Sequence, residues 1–424
     1  MPSRSACEAE IFRTKAPVNI LWLLAIDHKY GMRHGATLRY LNFSSGLVAR
    51  GHRVYFALTN YPDQDPVARN AYLEDLKDAY VFTDYAEIDS YKHPRLLGKL
   101  SRLAVHPRAR NHILASRQAE YRNKFQDLVR RFSADVCIIS QRAGLFLLPG
   151  ITSLVPTIID WCDSAVLYAL REIPLLIASK EIKRARQEGT NLVRAITDEA
   201  LYSRYVPNII VSRVDKKMFD RLNRRPQLNH VLSNGVDAPS KVPSATAKSS
   251  QRLIISGTMD FPPNYRGALW FVENVMPSLL RTNGNLRLVI AGQRPVPELL
   301  AKASEHIIIT GQVADMGSEI AKSQLFVAPL ISGGGFKNKV VEALANGTYV
   351  VGTPMALEFL DERLRNALLL ARSPTEFIYQ IERYLGDPEK FAGRLREAIK
   401  IVREEYLWES RVKELEDLCA SIAR

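Results

Sequence analysis

The chain has 424 residues, of which 58 are Lys or Arg and 45 are Asp or Glu, so its formal net charge is +13. A hydrophobic share of 46% and a charged share of 24% exclude a disordered protein, and the length predicts two or three domains. No apolar run approaches the roughly 18 residues of a membrane span, and the start of the chain lacks the apolar core of a signal peptide. The four cysteines lie far apart, which disfavours a disulfide framework or a zinc site and favours the reducing cytoplasm.

Strand and helix patterns alternate along the first half of the chain. Residues 18–26 form a near-continuous apolar run, which is typical of a strand buried on both faces of a parallel sheet. A helix is predicted for 36–50, because Gly51 follows it as a helix-ending residue. Further strands are predicted at 52–58, 134–140, 157–161 and 208–212. The alternation predicts a doubly wound α/β domain.

A second strand–helix series follows a linker. Residues 235–251 are rich in Pro, Ser, Ala and Lys and lack apolar periodicity. The strands predicted after this linker are 253–256, 286–291, 306–310, 325–328 and 349–352. We therefore expect a tail (1–17), a first domain (18–234), the linker (235–251), a second domain (252–405) and a C-terminal helix (406–424). Two such domains bind their ligands in the cleft between them, beyond the carboxyl ends of the strands.

The segment 329–353 carries the clearest chemical signal. Three glycines at 333–335 separate a strand end from a predicted helix. Glycines allow the backbone to approach a bulky anion, and the first N–H groups of the helix point towards it. Lys337 and Lys339 add positive charge, and Glu342 is placed to accept hydrogen bonds from a ribose diol. The alternative is a flexible loop before a solvated helix face.

This segment resembles the donor-binding motif of GT-B glycosyltransferases, specifically the retaining family 4 group. Four further segments agree with that family in their order along the chain: LSNGVD (232–237), SGTMDFPPN (256–264), GQVADM (311–316) and YLWES (406–410). The resemblance implies two Rossmann-like domains that face a central cleft, with a C-terminal helix that crosses back to the first domain. It also implies a hexosyltransferase type of enzyme that moves a sugar from a nucleoside diphosphate sugar to a hydroxyl acceptor, with retention and without a bound metal or other cofactor.

The residues that the resemblance places at the donor site lie in these loops. They are Gly257, Arg266, Gly292, Gln312, Val313, Gly333, Gly334, Gly335, Phe336, Lys337, Asn338, Lys339 and Glu342. The sequence does not decide which of Arg266, Arg294 and the two lysines would bind the diphosphate. Many members of the family carry a glutamate eight positions before the one that matches Glu342, where this chain has Gly334. The donor sugar therefore stays open, as do two other functions: a GT-B sugar-nucleotide epimerase, or a non-catalytic protein that binds a nucleotide sugar.

The loop after the first strand resembles the glycine loop of the family's first domain, which faces the donor phosphate and the acceptor. Gly31, Arg33 and Gly35 are expected on that side of the cleft. His34 is a candidate catalytic residue, and a plain surface histidine is the alternative.

Two acidic residues follow another strand of the first domain. Asp160 and Asp163 lie at the end of the predicted strand 157–161 and are candidate catalytic residues. In that role one of them would bind acceptor hydroxyls or stabilise the transferring sugar. The alternative is that they cap or turn the chain, as aspartates at strand ends often do.

The segment 91–131 is strongly basic, with eleven Lys or Arg against two Asp or Glu and with leucines at helical spacing. A basic amphipathic helix is typical of binding to an anionic membrane surface, while a merely solvated face is the main alternative. No nucleic-acid motif accompanies the charge, so nucleic acid is not expected. The expected partners are a nucleotide sugar, a lipid-linked or polysaccharide acceptor, and the inner membrane face.

Overall fold

A computed structural model gives the architecture of most of the chain. The residues that it describes are 16–26, 35–60, 67, 71, 74, 81–88, 115–140, 145, 148–239 and 249–423. Two parallel sheets organise these residues, one before and one after the segment 240–248. Each sheet carries helices, so the predicted α/β class with two Rossmann-like domains is confirmed.

The N-terminal sheet is built around an apolar central strand. Its parallel strands lie in the order β3-β2-β1-β4-β5-β6-β7. Their bounds are β1 Asn19–Ile26, β2 Arg53–Asn60, β3 Asp84–Ile88, β4 Val136–Ser140, β5 Thr157–Cys162, β6 Asn208–Ile210 and β7 Asn229–Val231. In β1, Ile20 pairs with Val54 on one side and with Val136 on the other. Strands are added outward in both directions from the junction of β1 and β4, and ligands of such folds bind at this switch point.

Helices cover both faces of this sheet. Their bounds are α1 Gly35–Ala49, α2 Ala115–Arg131, α3 Leu148–Ile151, α4 Ala165–Ala178, α5 Ile182–Tyr202 and α6 Arg213–Asn223. Trp22 of β1 packs into one apolar cluster with Phe43 of α1, whereas the next residue, Leu23, packs into the other with Phe125 of α2. Successive side chains of a strand point to opposite faces, so β1 contributes to two cores.

The C-terminal sheet has the order β10-β9-β8-β11-β12-β13, also parallel. Its strands are β8 Ser249–Ser256, β9 Arg287–Ala291, β10 Ile307–Gly311, β11 Ser323–Ala328, β12 Tyr349–Gly352 and β13 Leu369–Leu370. Its helices are α7 Pro262–Asn274, α8 Met276–Thr282, α9 Pro297–Leu300, α10 Met316–Ala321, α11 Asn338–Ala345, α12 Pro354–Leu357, α13 Glu362–Ala367, α14 Pro374–Gly386 and α15 Ala392–Glu405. The switch point of this sheet lies between β8 and β11.

The last helix, α16 (Trp408–Ile422), packs on the N-terminal domain rather than on its own. Val412 contacts α1 so closely that a Cβ added at Gly46 would lie 2.4 Å from a Val412 methyl group. Glu416 accepts hydrogen bonds from Arg50 and from the ring of His52, at 2.9 and 2.8 Å. The expected C-terminal helix that crosses back to the first domain is therefore confirmed.

The strands that were predicted from apolar runs are present, with bounds that differ by a few residues. Three others, β3, β7 and β13, were not predicted: each lies at the edge of its sheet and is either short or only half apolar. An edge strand has a neighbour on one side only, so it lacks the continuous apolar run of a buried strand. Strand β8 begins at Ser249, inside the predicted linker.

Candidate functional site

A cavity of about 390 Å³ lies where β8, β9, β10 and β11 end, at the switch point of the C-terminal sheet. Most of the residues that were predicted to bind a donor line this cavity. They are Gly257, Gly292, Gln312, Val313, Gly333, Gly334, Phe336, Lys337, Asn338, Lys339 and Glu342. Their roles toward a ligand stay predictions, but the structure brings them together.

Two glycines allow the backbones to approach closely beside the cavity, just after the ends of two neighbouring strands. Gly257 follows β8 and Gly292 follows β9, both with φ of +150°. A Cβ at Gly292 would lie 1.7 Å from the carbonyl oxygen of Gly257, and one at Gly257 would lie 2.9 Å from Nζ of Lys339. Any side chain at either position would therefore displace backbone or occupy the space beside the lysine.

Lys339 lies in the first turn of α11 with its ammonium group at the cavity. Its Nζ donates to Oδ1 of Asn264, which is oriented because Nδ2 of Asn264 donates to the carbonyl of Thr258 at 2.9 Å. Burial and, to a lesser extent, the nearby Lys337 lower the pKa of Lys339 to about 7, while Glu342 opposes the shift. Its charge is thus only partly compensated by the protein, so an anion would stabilise it.

Lys337 has a different environment from Lys339. Its buried ammonium group donates to the carbonyls of Gly334 and Gly335, at 2.8 and 2.7 Å. Burial lowers the pKa of Lys337. Lys337 therefore holds the glycine loop in shape, and Lys339 is the lysine whose ammonium group is placed to meet a ligand.

Glu342 lies one turn after Lys339 and lines the same cavity. Burial raises the pKa of its carboxyl group to about 7, with Lys339 acting in the opposite direction. A half-buried carboxyl group that titrates near neutrality can accept hydrogen bonds from a pair of hydroxyls when ionised, and can also donate one when protonated. Its position fits the predicted contact with a ribose diol.

The glycine loop 333–335 also contacts the N-terminal domain. Arg171 of α4 donates to the carbonyl of Gly333 at 3.0 Å and forms a bidentate ion pair with Glu358. A Cβ at Gly335 would lie 3.0 Å from Oδ2 of Asp163, and one at Gly334 would lie 3.7 Å from the Cβ of Tyr168. Gly335 itself is buried and does not line the cavity. The loop thus lines the cavity through Gly333 and Gly334 and also forms part of the contact between the domains.

Two predicted site residues have other partners. Asp160 is buried and pairs with Nε of Arg39 at 2.8 Å, so it neutralises an interior cation instead of facing an acceptor. Arg266 pairs with Glu172 and Glu181 of the N-terminal domain, at 2.6 and 2.8 Å, and does not line the cavity. Neither residue lines the cavity, and the catalytic role of Asp160 and the donor role of Arg266 stay predictions.

The remaining candidates divide between described and undescribed positions. Arg294 is half exposed, pairs with Asp260 and does not line the cavity. Asp163 is exposed at the end of β5, beside the glycine loop, where its catalytic role stays a prediction. Gly31, Arg33 and His34 lie outside the described residues. Gly35 is the first residue of α1, and its surroundings are not described.

Some residues of the site were not predicted. Asn264 lies within the SGTMDFPPN segment, but only the structure shows that it holds Lys339. Arg39 and Arg171 lie on α1 and α4, and no local sequence pattern distinguishes them from other arginines. Within the described ranges, no group of three His, Cys, Asp or Glu is arranged to hold a metal ion. No described helix is long and apolar enough to cross a membrane.

Comparisons with known proteins place the cavity in context. Residues 250–387 match the family model described as glycosyl transferases group 1. The chain is 21% identical over 277 residues to an uncharacterized 44.6 kDa protein in the cps region of Klebsiella pneumoniae, covering 58% of this chain and 70% of that protein. It is 29% identical over 146 residues to a phosphatidyl-myo-inositol mannosyltransferase of Mycobacterium leprae, covering 32% of this chain and 39% of that protein.

A solved structure extends the likeness over both domains. HepE of Anabaena, in complex with UDP, superposes with a TM-score of 0.63 and 14% identity, covering 95% of this chain and 100% of that one. An identity this low bears on the fold alone, and the fold is GT-B. The fold and the match over 250–387 together support a glycosyltransferase.

Proposed function

We propose that this chain transfers a sugar, with retention, from a nucleoside diphosphate sugar to a hydroxyl acceptor during the synthesis of a polysaccharide or glycolipid. One observation carries the proposal. At the switch point of the C-terminal sheet, the cavity presents Lys339 and the start of α11 at one place and Glu342 one turn further along the helix. A helix N-terminus and an ammonium group suit a diphosphate, and a carboxyl group suits the ribose next to it.

The same groups suit the chemistry of transfer. The bond between the anomeric carbon and the diphosphate oxygen breaks, a bond from that carbon to the acceptor oxygen forms, and the acceptor proton leaves with the nucleoside diphosphate or to solvent. Negative charge therefore grows on the departing diphosphate. Lys339 and the backbone N–H groups at the start of α11 are fixed where that charge develops, and such preorganised donors stabilise the transition state more than the ground state.

The relatives suggest the substrates to test first. HepE was solved with UDP and with UDP-glucose, which supports a UDP-hexose as the first donor. The Klebsiella relative belongs to a cps region, and the name of the mycobacterial relative gives a lipid acceptor. We propose a polysaccharide or lipid-linked acceptor at the cytoplasmic membrane face, contacted through the basic segment 91–131. Of that segment, α2 is described.

The test is a turnover assay with UDP-hexoses, run without acceptor and with lipid-linked saccharides in vesicles that contain or lack anionic lipid. A transferase releases UDP only when acceptor is present, and proton NMR of the product gives its anomeric configuration. A new sugar nucleotide without acceptor would identify an epimerase, and binding without any product would identify a non-catalytic protein. Equal rates with both kinds of vesicle would exclude an electrostatic role for the basic segment.

Glu342→Gln gives a site-specific check on this assay, because its carboxyl group is assigned to the ribose. We expect a higher KM for the donor. The matched control is Glu319→Gln, since Glu319 is ion-paired with Arg252 and Lys322 and does not line the cavity.

A further inference from the structure

A chain of polar side chains runs from the interior of the N-terminal domain to the cavity. Arg39 of α1 donates through Nε to Asp160 and through Nη1 to Oδ1 of Asn234, both at 2.8 Å. Nδ2 of Asn234 donates to Oδ1 of Asn338 at 2.9 Å. Arg39, Asp160 and Asn234 are almost fully buried, and Asn338 lines the cavity. The chain of hydrogen bonds therefore connects the two domains.

The direction of each hydrogen bond in this chain is set by the arginine. A guanidinium group can only donate, so the amide oxygen of Asn234 must face Arg39. The NH₂ group of Asn234 then faces Asn338, whose own oxygen must turn towards it. As a result, the NH₂ group of Asn338 faces away from Asn234. No hydrogen bond among the described residues uses Nδ2 of Asn338, so these two donors are available to a ligand in the cavity.

We propose that Asn234 is a positioning residue: it fixes the amide of Asn338 so that its NH₂ group, and not its oxygen, faces the diphosphate of the donor. Asn234 does not line the cavity. The proposal rests on the proposed function for the identity of the ligand. It adds that binding of the ligand requires a residue outside the cavity, because Asn234 of the N-terminal domain determines whether the NH₂ group or the oxygen of Asn338 faces the cavity.

The cost of burying this chain is consistent with such a role. Arg39 has no exposed surface, and its Nη2 has no hydrogen-bond partner among the described residues. A buried ion pair rarely stabilises a fold more than apolar residues of the same size would, and one well-attested use is to fix a single arrangement of polar groups. With a cation at its inner end, a chain of amides has one favourable orientation.

The test is Asn234→Asp, assayed with the full-length protein and UDP as the probe at pH 8. The introduced carboxylate keeps the contact with Arg39 but has no hydrogen to donate, so the amide of Asn338 should reverse and direct its oxygen into the cavity. We expect the Kd for UDP to rise about tenfold, the value of one hydrogen bond to a charged group.

A double-mutant cycle separates orientation from structural damage. In an Asn338→Ala background the amide is gone, so Asn234→Asp should have no further effect on the Kd. An equal effect in both backgrounds, or none in either, would overturn the proposal. Asn223→Asp is the matched control: it introduces a carboxyl group at another buried asparagine of the same domain, away from the cavity, and should leave the Kd unchanged.

A readout without ligand distinguishes failure of this inference from failure of the proposed function. If the wild-type protein bound no nucleoside diphosphate, the proposed function would be wrong. The orientation would still be decided by NMR, from the solvent exchange of the Asn338 side-chain NH₂ group. That exchange should be slower in Asn234→Asp than in the wild type, because the reversed amide is hydrogen-bonded, and an unchanged rate would contradict the orientation.

Discussion

The two sides of the cleft use charge differently. On the C-terminal side, Lys339 and Glu342 line the cavity, and the hydrogen bond described for the Lys339 ammonium group goes to a neutral amide. On the N-terminal side, Arg39, Arg171 and Glu172 are each engaged in an ion pair. The two cavity charges are therefore only partly paired within the protein, whereas Arg39 is paired inside its own domain and Arg171 and Glu172 are paired with Glu358 and Arg266 across the domain contact.

The pKa shifts are consistent with this difference. Burial without a full counter-charge drives Lys339 and Glu342 towards their neutral forms, with pKa values of about 7 for both. A ligand that supplies the missing charge or hydrogen bonds would reverse these shifts. Charged residues on the two sides of the cleft therefore differ in how fully the protein compensates their charge. Three experiments test this difference, in decreasing order of expected effect.

The largest effect is expected from Asp160→Ala on the N-terminal side. Removing the carboxylate leaves Arg39 buried without its counter-charge, which typically destabilises a protein by about 3–5 kcal/mol. Urea denaturation would measure the loss in the free energy of unfolding. Asp127→Ala, at an exposed position of α2, is the control and should stay within about 0.5 kcal/mol of wild type. A stable but inactive Asp160→Ala would instead support the catalytic role predicted for Asp160.

An intermediate effect is expected from Lys339→Met on the C-terminal side. The substitution keeps the length of the side chain and removes the charge, so UDP affinity should fall about 10- to 100-fold while the stability of the free protein is maintained. Isothermal titration calorimetry would measure the affinity. Arg266→Gln is the control, because it removes a cation that is ion-paired away from the cavity, and it should change the Kd less than twofold. A larger loss for Arg266→Gln than for Lys339→Met would reverse our assignment.

The smallest effect is a dependence of UDP affinity on pH. Because the pKa of Lys339 is about 7 in the free protein, a bound diphosphate should raise it, and the complex then holds more protons than its free components between the two values. Affinity should therefore fall as the pH rises, by about tenfold between pH 7 and 8.5, above the phosphate ionisation near 6. Titrations in buffers of different ionisation enthalpy would measure the proton uptake. Lys339→Met should abolish it, and a flat profile for the wild type would exclude Lys339 as the diphosphate cation.

The parts of the fold and the site that follow local chemistry could be predicted from the sequence. Apolar runs predicted the buried strands. The glycines before α11, with Lys339 and Glu342, predicted the part of the cavity that they line. Each of these signals lies within a few consecutive residues. The ion pairs of Asp160 and Arg266 could not be predicted, for the opposite reason. Their partners are Arg39, which is 121 positions away, and Glu172 and Glu181, which lie in the other domain. No local pattern encodes such distant pairs.

The final helix has a consequence for how this protein can be recombined. Residues 408–422 follow the C-terminal sheet in the chain, yet Val412, Leu415 and Cys419 complete the apolar core of the other domain. A chimera made to alter donor preference by exchanging the nucleotide half should therefore retain this helix from the recipient. A single crossover point in the linker would place a foreign helix against α1 at Gly46. The contact there is so close that a Cβ at position 46 would already clash with Val412. Two crossovers, the second near Tyr406, respect the units that fold together.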